Sequence, residues 1–149
     1  MNDKIMNSSP DGRHKVRLFY KGEIRFGPSF FRLELDGKTL FGRVFGETFC
    51  WSDDSKYLAI QEWLTTDYQD GPITRVMLVD VETNRFSEFT AVEKGFVQSF
   101  RFVGNIFVYR KQHYVSGQVT EAEVEISSIS NWKKITWLQN FVHVLSTSR

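Results

Sequence analysis

Cysteine and proline are almost missing from this sequence: 149 residues contain one Cys, at position 50, and three Pro. A single thiol excludes an internal disulfide framework and a cysteine-based zinc site. So few prolines exclude a Pro-rich linker. No apolar run approaches the roughly 18 residues of a membrane helix. The opening MNDKIMNSSPDGR lacks the apolar stretch of a secretory signal. Net charge is also nearly absent, since 19 Lys/Arg oppose 18 Asp/Glu. These absences predict a cytoplasmic chain without a membrane partner. What is present is apolar and aromatic: 41% hydrophobic residues and 14 Phe, too much for disorder and enough for one core. A single domain over 1–149 is expected, with residues 1–8 flexible.

The near-zero total hides three blocks. Residues 1–46 carry +4, residues 47–93 carry −7, and residues 94–149 carry +4. The acidic block either attracts a basic partner and repels nucleic acid, or neutralises Lys and Arg from the flanking thirds.

Period-two alternation with β-branched and aromatic residues predicts strands over 14–20, 29–35, 39–45, 56–63, 74–81, 85–89, 99–103, 106–111 and 118–126. Turn signals separate them, among them Asp36-Gly37, Glu82-Thr83-Asn84 and Gly104-Asn105. The spacers are too short for helical crossovers, which leaves an all-β domain of antiparallel meanders. Residues 133–137 read as a further strand. Residues 138–149 fit a helix and a strand equally and are left open.

The alternation also repeats. Phe49-Cys50-Trp51-Ser52-Asp53-Asp54-Ser55-Lys56 is an apolar strand and a Ser-acidic turn, and Ser8-Ser9-Pro10-Asp11-Gly12-Arg13 matches its turn 43 residues earlier. Ser99–Val108 repeats the pattern about 50 residues later around Gly104-Asn105. Such a period suits a four-stranded propeller blade. Period-two phase places Phe49, Trp51, Phe100 and Phe102, just before the turns, in the core.

The turns "SSPDGRHKV" and "WSDDSKYLAI" resemble the Ser-Pro-Asp-Gly-Lys blade motif of bacterial propeller proteins related to WD repeats. Asp53 replaces the motif's Pro, and the third copy keeps only Gly104-Asn105. The resemblance implies about three blades, fewer than the four to eight of closed propellers, hence an open half-propeller. Half-propeller folds are similar to some small bacterial immunity proteins that neutralise contact-dependent growth inhibition toxins. The resemblance therefore implies a protein-binding inhibitor of a basic toxin domain, such as a nuclease, acting by occlusion of its active site. Two other readings stand beside it: a structural or adaptor propeller fragment that self-associates, and a nucleic-acid-binding β domain.

Chemistry-bearing motifs are scarce. His14, His113 and His143 are scattered, Gly22–Gly27 lacks the Lys-Ser/Thr of a phosphate loop, and Asp67-Tyr68-Gln69-Asp70-Gly71 lacks the alternating ligands of a calcium loop. No catalytic residue, metal or cofactor is assigned, and Cys50 reads as a small hydrophobe. Arg13, Lys15, Arg17, Lys21 and Arg25 alternate with Val16, Phe19, Tyr20 and Phe26, which could stack bases, but those aromatics hold core-phase positions. The most interaction-like stretch is 62–72. Glu62, Trp63, Asp67, Tyr68 and Asp70 combine hot-spot aromatics with acid on a loop longer than a hairpin needs. The equivalent loop of the third repeat, with His113 and Tyr114, is the second candidate surface.

Overall fold

The computed structural model describes residues 4–137 and is all-β and antiparallel throughout. Its strands are β1 (Lys4–Ser8), β2 (Lys15–Glu23), β3 (Ser29–Leu35), β4 (Lys38–Trp51), β5 (Tyr57–Trp63), β6 (Ile73–Asp80), β7 (Arg85–Glu88), β8 (Val92–Glu93), β9 (Gly95–Val103), β10 (Ile106–His113), β11 (Val119–Glu125) and β12 (Lys133–Lys134). A nine-stranded sheet runs β1-β2-β3-β4-β5-β6-β7-β12, with β8 also on β6. A second sheet contains β11-β10-β9. Among the described residues neither sheet closes.

Three meanders become two sheets because β4 is shared. Its 14 residues pair first with β3 and then with β5, and the register slips between Phe45 and Phe49. Such irregularities bend a strand. The sheet folds over there: the Asp11 N–H donates to Ser55 Oγ at 2.9 Å, joining turns that strand order sets three strands apart. Both halves then enclose one apolar cluster, including Leu18, Leu33, Phe45, Ile60 and Met77. The opposite face of β5 and β6, with Ala59, Val76 and Leu78, packs on Val97, Phe107 and Tyr109 of the second sheet. The middle layer is thus buried on both faces, which is why Leu58-Ala59-Ile60 and Val76-Met77-Leu78-Val79 are uninterrupted apolar runs.

The 43-residue repeat has a physical counterpart in the turns. Ser9 N–H donates to His14 O, Ser9 Oγ donates to Asp11 Oδ1 at 2.7 Å, and His14 N–H donates to Ser9 Oγ. The same three bonds join Ser52 to Tyr57 and Asp54, again at 2.7 Å for the hydroxyl–carboxylate pair. Gly12 and Ser55, at equivalent positions, both take positive φ. Hydrogen bonds hold the Asp11 and Asp54 carboxyls below the usual carboxylate range: for Asp11 chiefly a further bond from the Arg13 N–H at 3.0 Å, then the Ser9 hydroxyl, and for Asp54 chiefly the Ser52 hydroxyl. Ser52→Ala strands the buried Tyr57 N–H bond and frees Asp54. A loss of about 1–2 kcal/mol in urea unfolding is expected, with a similar one for Ser9→Ala.

Several expectations need correction. Residues 4–8, expected to be flexible, form an edge strand paired with β2 from Lys4↔Phe19 to Ser8↔Lys15. Phe49, Trp51, Phe100 and Phe102 are half-buried and pack against the rims of the two clusters, not at their centres. Of 133–137 only Lys133–Lys134 is strand, paired with β7. Residues 138–149 lie outside those described.

Candidate functional site

Because the meanders repeat, their equivalent loops emerge together. Residues 24–28 follow β2, residues 64–72 follow β5 and residues 114–118 follow β10. The three meet around a groove of about 350 Å³ lined by Phe26, Pro28, Trp63, Tyr68, Pro72 and Tyr114, among others. Of the large hydrophobic side chains exposed among the described residues, Phe26, Leu64, Tyr68, Tyr114 and Val115 lie on these loops, and Phe41 lies beside residues 64–66 on a second irregularity of β4, between Leu40 and Phe45 where it pairs with β3. An apolar concentration of this kind on one end of a domain marks an interaction surface.

Each loop presents its aromatic ring for a local reason. In the β2–β3 loop, Gly27 N–H donates to Ile24 O at 2.7 Å, closing a four-residue turn whose third position is Phe26 at φ +62°. That position favours Gly, and Gly27 sits one residue too late to take it. Phe26 is the one aromatic at positive φ among the described residues, and it is 89% exposed. Backbone strain of about 1–3 kcal/mol is thus held in a residue that contributes nothing to the core. In the β5–β6 loop, Asp67 accepts from Gln69 N–H and starts a 3₁₀ turn over Tyr68–Asp70, while Thr65 Oγ1 donates to Asp70 Oδ2 at 2.7 Å. Tyr68, 43% exposed, meets Phe26 edge-on at 6.2 Å. In the third loop Tyr114 N–H donates to Lys94 O at 2.7 Å, and the residue is 67% exposed.

The sequence-chosen residues divide on this geometry. Asp67, Tyr68 and Tyr114 line the groove, and Asp70 braces the same loop. Trp63 is its floor, not an exposed contact. It is 5% exposed, donates its indole N–H to Gln61 Oε1 at 3.0 Å and packs edge-on against Phe96 at 5.6 Å. His113 ends β10, with its backbone bonded to Gln118 and Gly117, and lines none of the groove. Glu62 is 3% exposed and faces the first cluster's end of the middle layer. Phe26, Arg25 and Phe96 were missed. In the sequence Arg25 and Phe26 read as part of a basic stripe and of a glycine-flanked stretch without a phosphate loop's Lys-Ser/Thr. The alignment of 24–28 with 64–72 was the signal that could have found Arg25 and Phe26; Phe96, on β9, carried none.

Glu62 instead belongs to a ladder of alternating charge across β4, β5, β6, β7 and β12. Its carboxylate accepts from Arg43 Nη1 at 2.9 Å and Arg75 Nε at 2.8 Å. Glu88 Oε2 accepts from the same two guanidiniums at 2.8 and 2.7 Å, and Lys133 Nζ reaches Glu88 Oε1 at 2.9 Å. Arg43 stacks over Phe86 at 4.8 Å. Part of the acidic block is therefore neutralised by cations from the flanking thirds, Arg43 and Lys133. Asp67 and Asp70 are in no ion pair among the described residues. Burial alone would raise the Glu88 pKa, but hydrogen bonds from Lys133 and Arg43 and the charge of Arg75 bring it down to about 2. Burial likewise works against the Arg43 charge, and the two glutamates outweigh it. A depressed folded pKa adds stability above the unfolded value near 4.5 that is lost as pH falls toward 2. Wild-type protein should therefore lose about 1–2 kcal/mol more than Glu88→Gln between pH 6 and pH 2.5. Equal losses in thermal melts would show that the Glu88 pairing adds no stability.

Elsewhere the chemistry is structural. His14 Nδ1 lies 2.7 Å from Asp36 Oδ2, and the ring stacks on Trp51 at 6.2 Å. Burial, with the Asp53 charge, pushes the Cys50 thiol up, away from thiolate reactivity. In the basic stripe Val16 and Leu18 point into the core, Arg17 pairs with Glu34 at 3.5 Å, and Arg32 covers Phe19 at 4.3 Å. No three His, Cys, Asp or Glu side chains among the described residues group as metal ligands, and no helix there is long and apolar enough to cross a membrane. Comparison with family models, curated proteins and solved structures finds no match. The functional reading therefore rests on the groove.

Proposed function

We propose that this protein binds a protein partner through the three-loop end and inhibits it, and that the partner is a basic toxin domain, such as a nuclease, whose active site it occludes. One observation carries the reading: equivalent loops of three meanders converge to expose Phe26, Tyr68 and Tyr114 around one groove, with Phe26 displayed in a strained turn. The unpaired Asp67 and Asp70 beside the rings suit a basic partner. The scaffold is an open arc of blade-like units, on the support of the shared Ser–Asp turns and the layered meanders. An open arc offers its loop end as a broad docking face.

Phe26→Gly separates binding from folding. Glycine suits the positive φ, so thermal stability should stay level or rise by about 1 kcal/mol. Loss of the ring should weaken the partner complex by about 1–3 kcal/mol. The partner to test is the product of the adjacent upstream gene, by co-elution, by inhibition of its toxicity and by binding kinetics. Asp67→Asn with Asp70→Asn keeps both hydrogen-bond acceptors and removes the charge, so association should slow, most at low salt. A partner that binds Phe26→Gly and the double Asn variant at wild-type rates would move the interface away from this end.

A further inference from the structure

The groove already contains a cation. Arg25 holds its guanidinium 4.9 Å from the Phe26 ring centroid and 5.3 Å from that of Tyr68, within cation–π range of both. It forms no salt bridge among the described residues, although Asp67 lines the same groove. The two rings meet at 89°, so their faces form a notch open to solvent, and Tyr114 lines the same groove. A chain that needed only to cover these rings would use an aliphatic side chain. Two near-perpendicular aromatic faces that already hold a planar cation, with the Asp67 carboxylate on the same groove and Asp70 on the same loop, make up the recognition chemistry of a guanidinium or ammonium group.

We infer that the Phe26–Tyr68 notch is a receptor for an Arg or Lys side chain on a loop of the protein partner, and that Arg25 is its internal stand-in, displaced when the partner docks. This rests on the proposed docking function and names the chemistry of the docked group. Charge complementarity selects the occupant. Asp67 and Asp70 favour an incoming cation, whereas an acidic or purely apolar segment would leave their charges unanswered. Arg25 then acts as a competitor: it keeps the rings covered in the free protein and must swing into solvent on binding. Its exchange for a like charge adds little to affinity by itself, which makes the site selective for partners that also contact Tyr114 and the acidic loop.

The test uses three blocked tripeptides with Arg, norleucine or Glu at the centre. Ring-proton shifts of Phe26, Tyr68 and Tyr114 are followed by NMR in wild type, Arg25→Ala and Tyr68→Ala. The Arg peptide should shift the rings, the other two should not, and Arg25→Ala should tighten Arg-peptide binding about two- to fivefold by vacating the notch. Tyr68→Ala should lose the binding, with dispersed spectra confirming that both variants fold. Weaker binding by Arg25→Ala, equal shifts with norleucine or Glu, or no shift with any peptide would overturn the inference. Shifts produced by a single-stranded oligonucleotide alone, or by raising protein concentration alone, would do the same, in favour of nucleic acid or a second copy. Binding of the norleucine or Glu peptide in this groove would remove the cation while leaving docking intact. Docking itself falls only if the partner complex is indifferent to Phe26→Gly.

Discussion

Replacing Phe107 by Ala is expected to lower stability by about 3–5 kcal/mol, among the largest losses from a single side chain of the described residues. Phe107 has no exposed surface and is the centre of the second cluster. Its ring lies 4.9 Å from that of Phe102, 5.5 Å from Phe100, 5.6 Å from Tyr109 and 5.9 Å from Phe89. Those rings come from both sides of the junction between β9–β11 and the middle layer, so removing the Phe107 ring leaves a cavity where two sheets are joined. The polar links across that junction, Gln61 Nε2 to Val97 O at 2.7 Å and Thr74 Oγ1 to Gly95 O at 2.9 Å, would carry more of the attachment. Urea unfolding followed by tryptophan fluorescence and amide exchange is the measurement. Exchange in β10 and β11 should rise more than in β2 and β3. A cost under 1 kcal/mol would mean that the third meander is not docked through this ring.

Glu62→Ala should cost about 3 kcal/mol. The substitution removes one of the two acceptors of Arg43 Nη1 and the acceptor of Arg75 Nε, and Glu88 alone must then answer two guanidiniums and Lys133. The loss comes from stranding half-buried cations more than from the intrinsic strength of the pairs. Replacing Arg43, Glu62 and Arg75 together by apolar residues should therefore recover most of it. Glu62 was also chosen from sequence as a partner contact, and the same variant decides between the roles. A normally stable Glu62→Ala that binds poorly would return Glu62 to the interface and undo its assignment to the ladder.

The correction at Glu62 and Trp63 has a plain origin. In sequence they look like the start of an acidic, aromatic loop, because charge and aromaticity carry no mark of burial. In space β5 runs through Trp63, and the middle layer is covered on both faces. Glu62 turns toward one covered face and Trp63 toward the other. Tyr68 and Asp67, only a few residues on, lie beyond the last ladder bond and stay outside.

From the order of residues alone came the all-β class, the antiparallel meanders and the recurrence of the Ser–Asp turn, since each rests on local physics: alternation of period two, short spacers, and hydroxyl–carboxylate bonds two residues apart. Asp67, Tyr68 and Tyr114 were legible because loop aromatics beside acid need no tertiary contact to be noticed. The tertiary structure decided that β4 serves two meanders, that Lys4–Ser8 pairs, that Glu62 and Glu88 share Arg43 and Arg75 across neighbouring strands, and that Phe26 and Arg25 stand against Tyr68. Each of these depends on where a long strand bends and which loops then meet. That is set by packing between layers, and contacts between residues some fifteen to forty-five positions apart leave no periodic trace in the sequence.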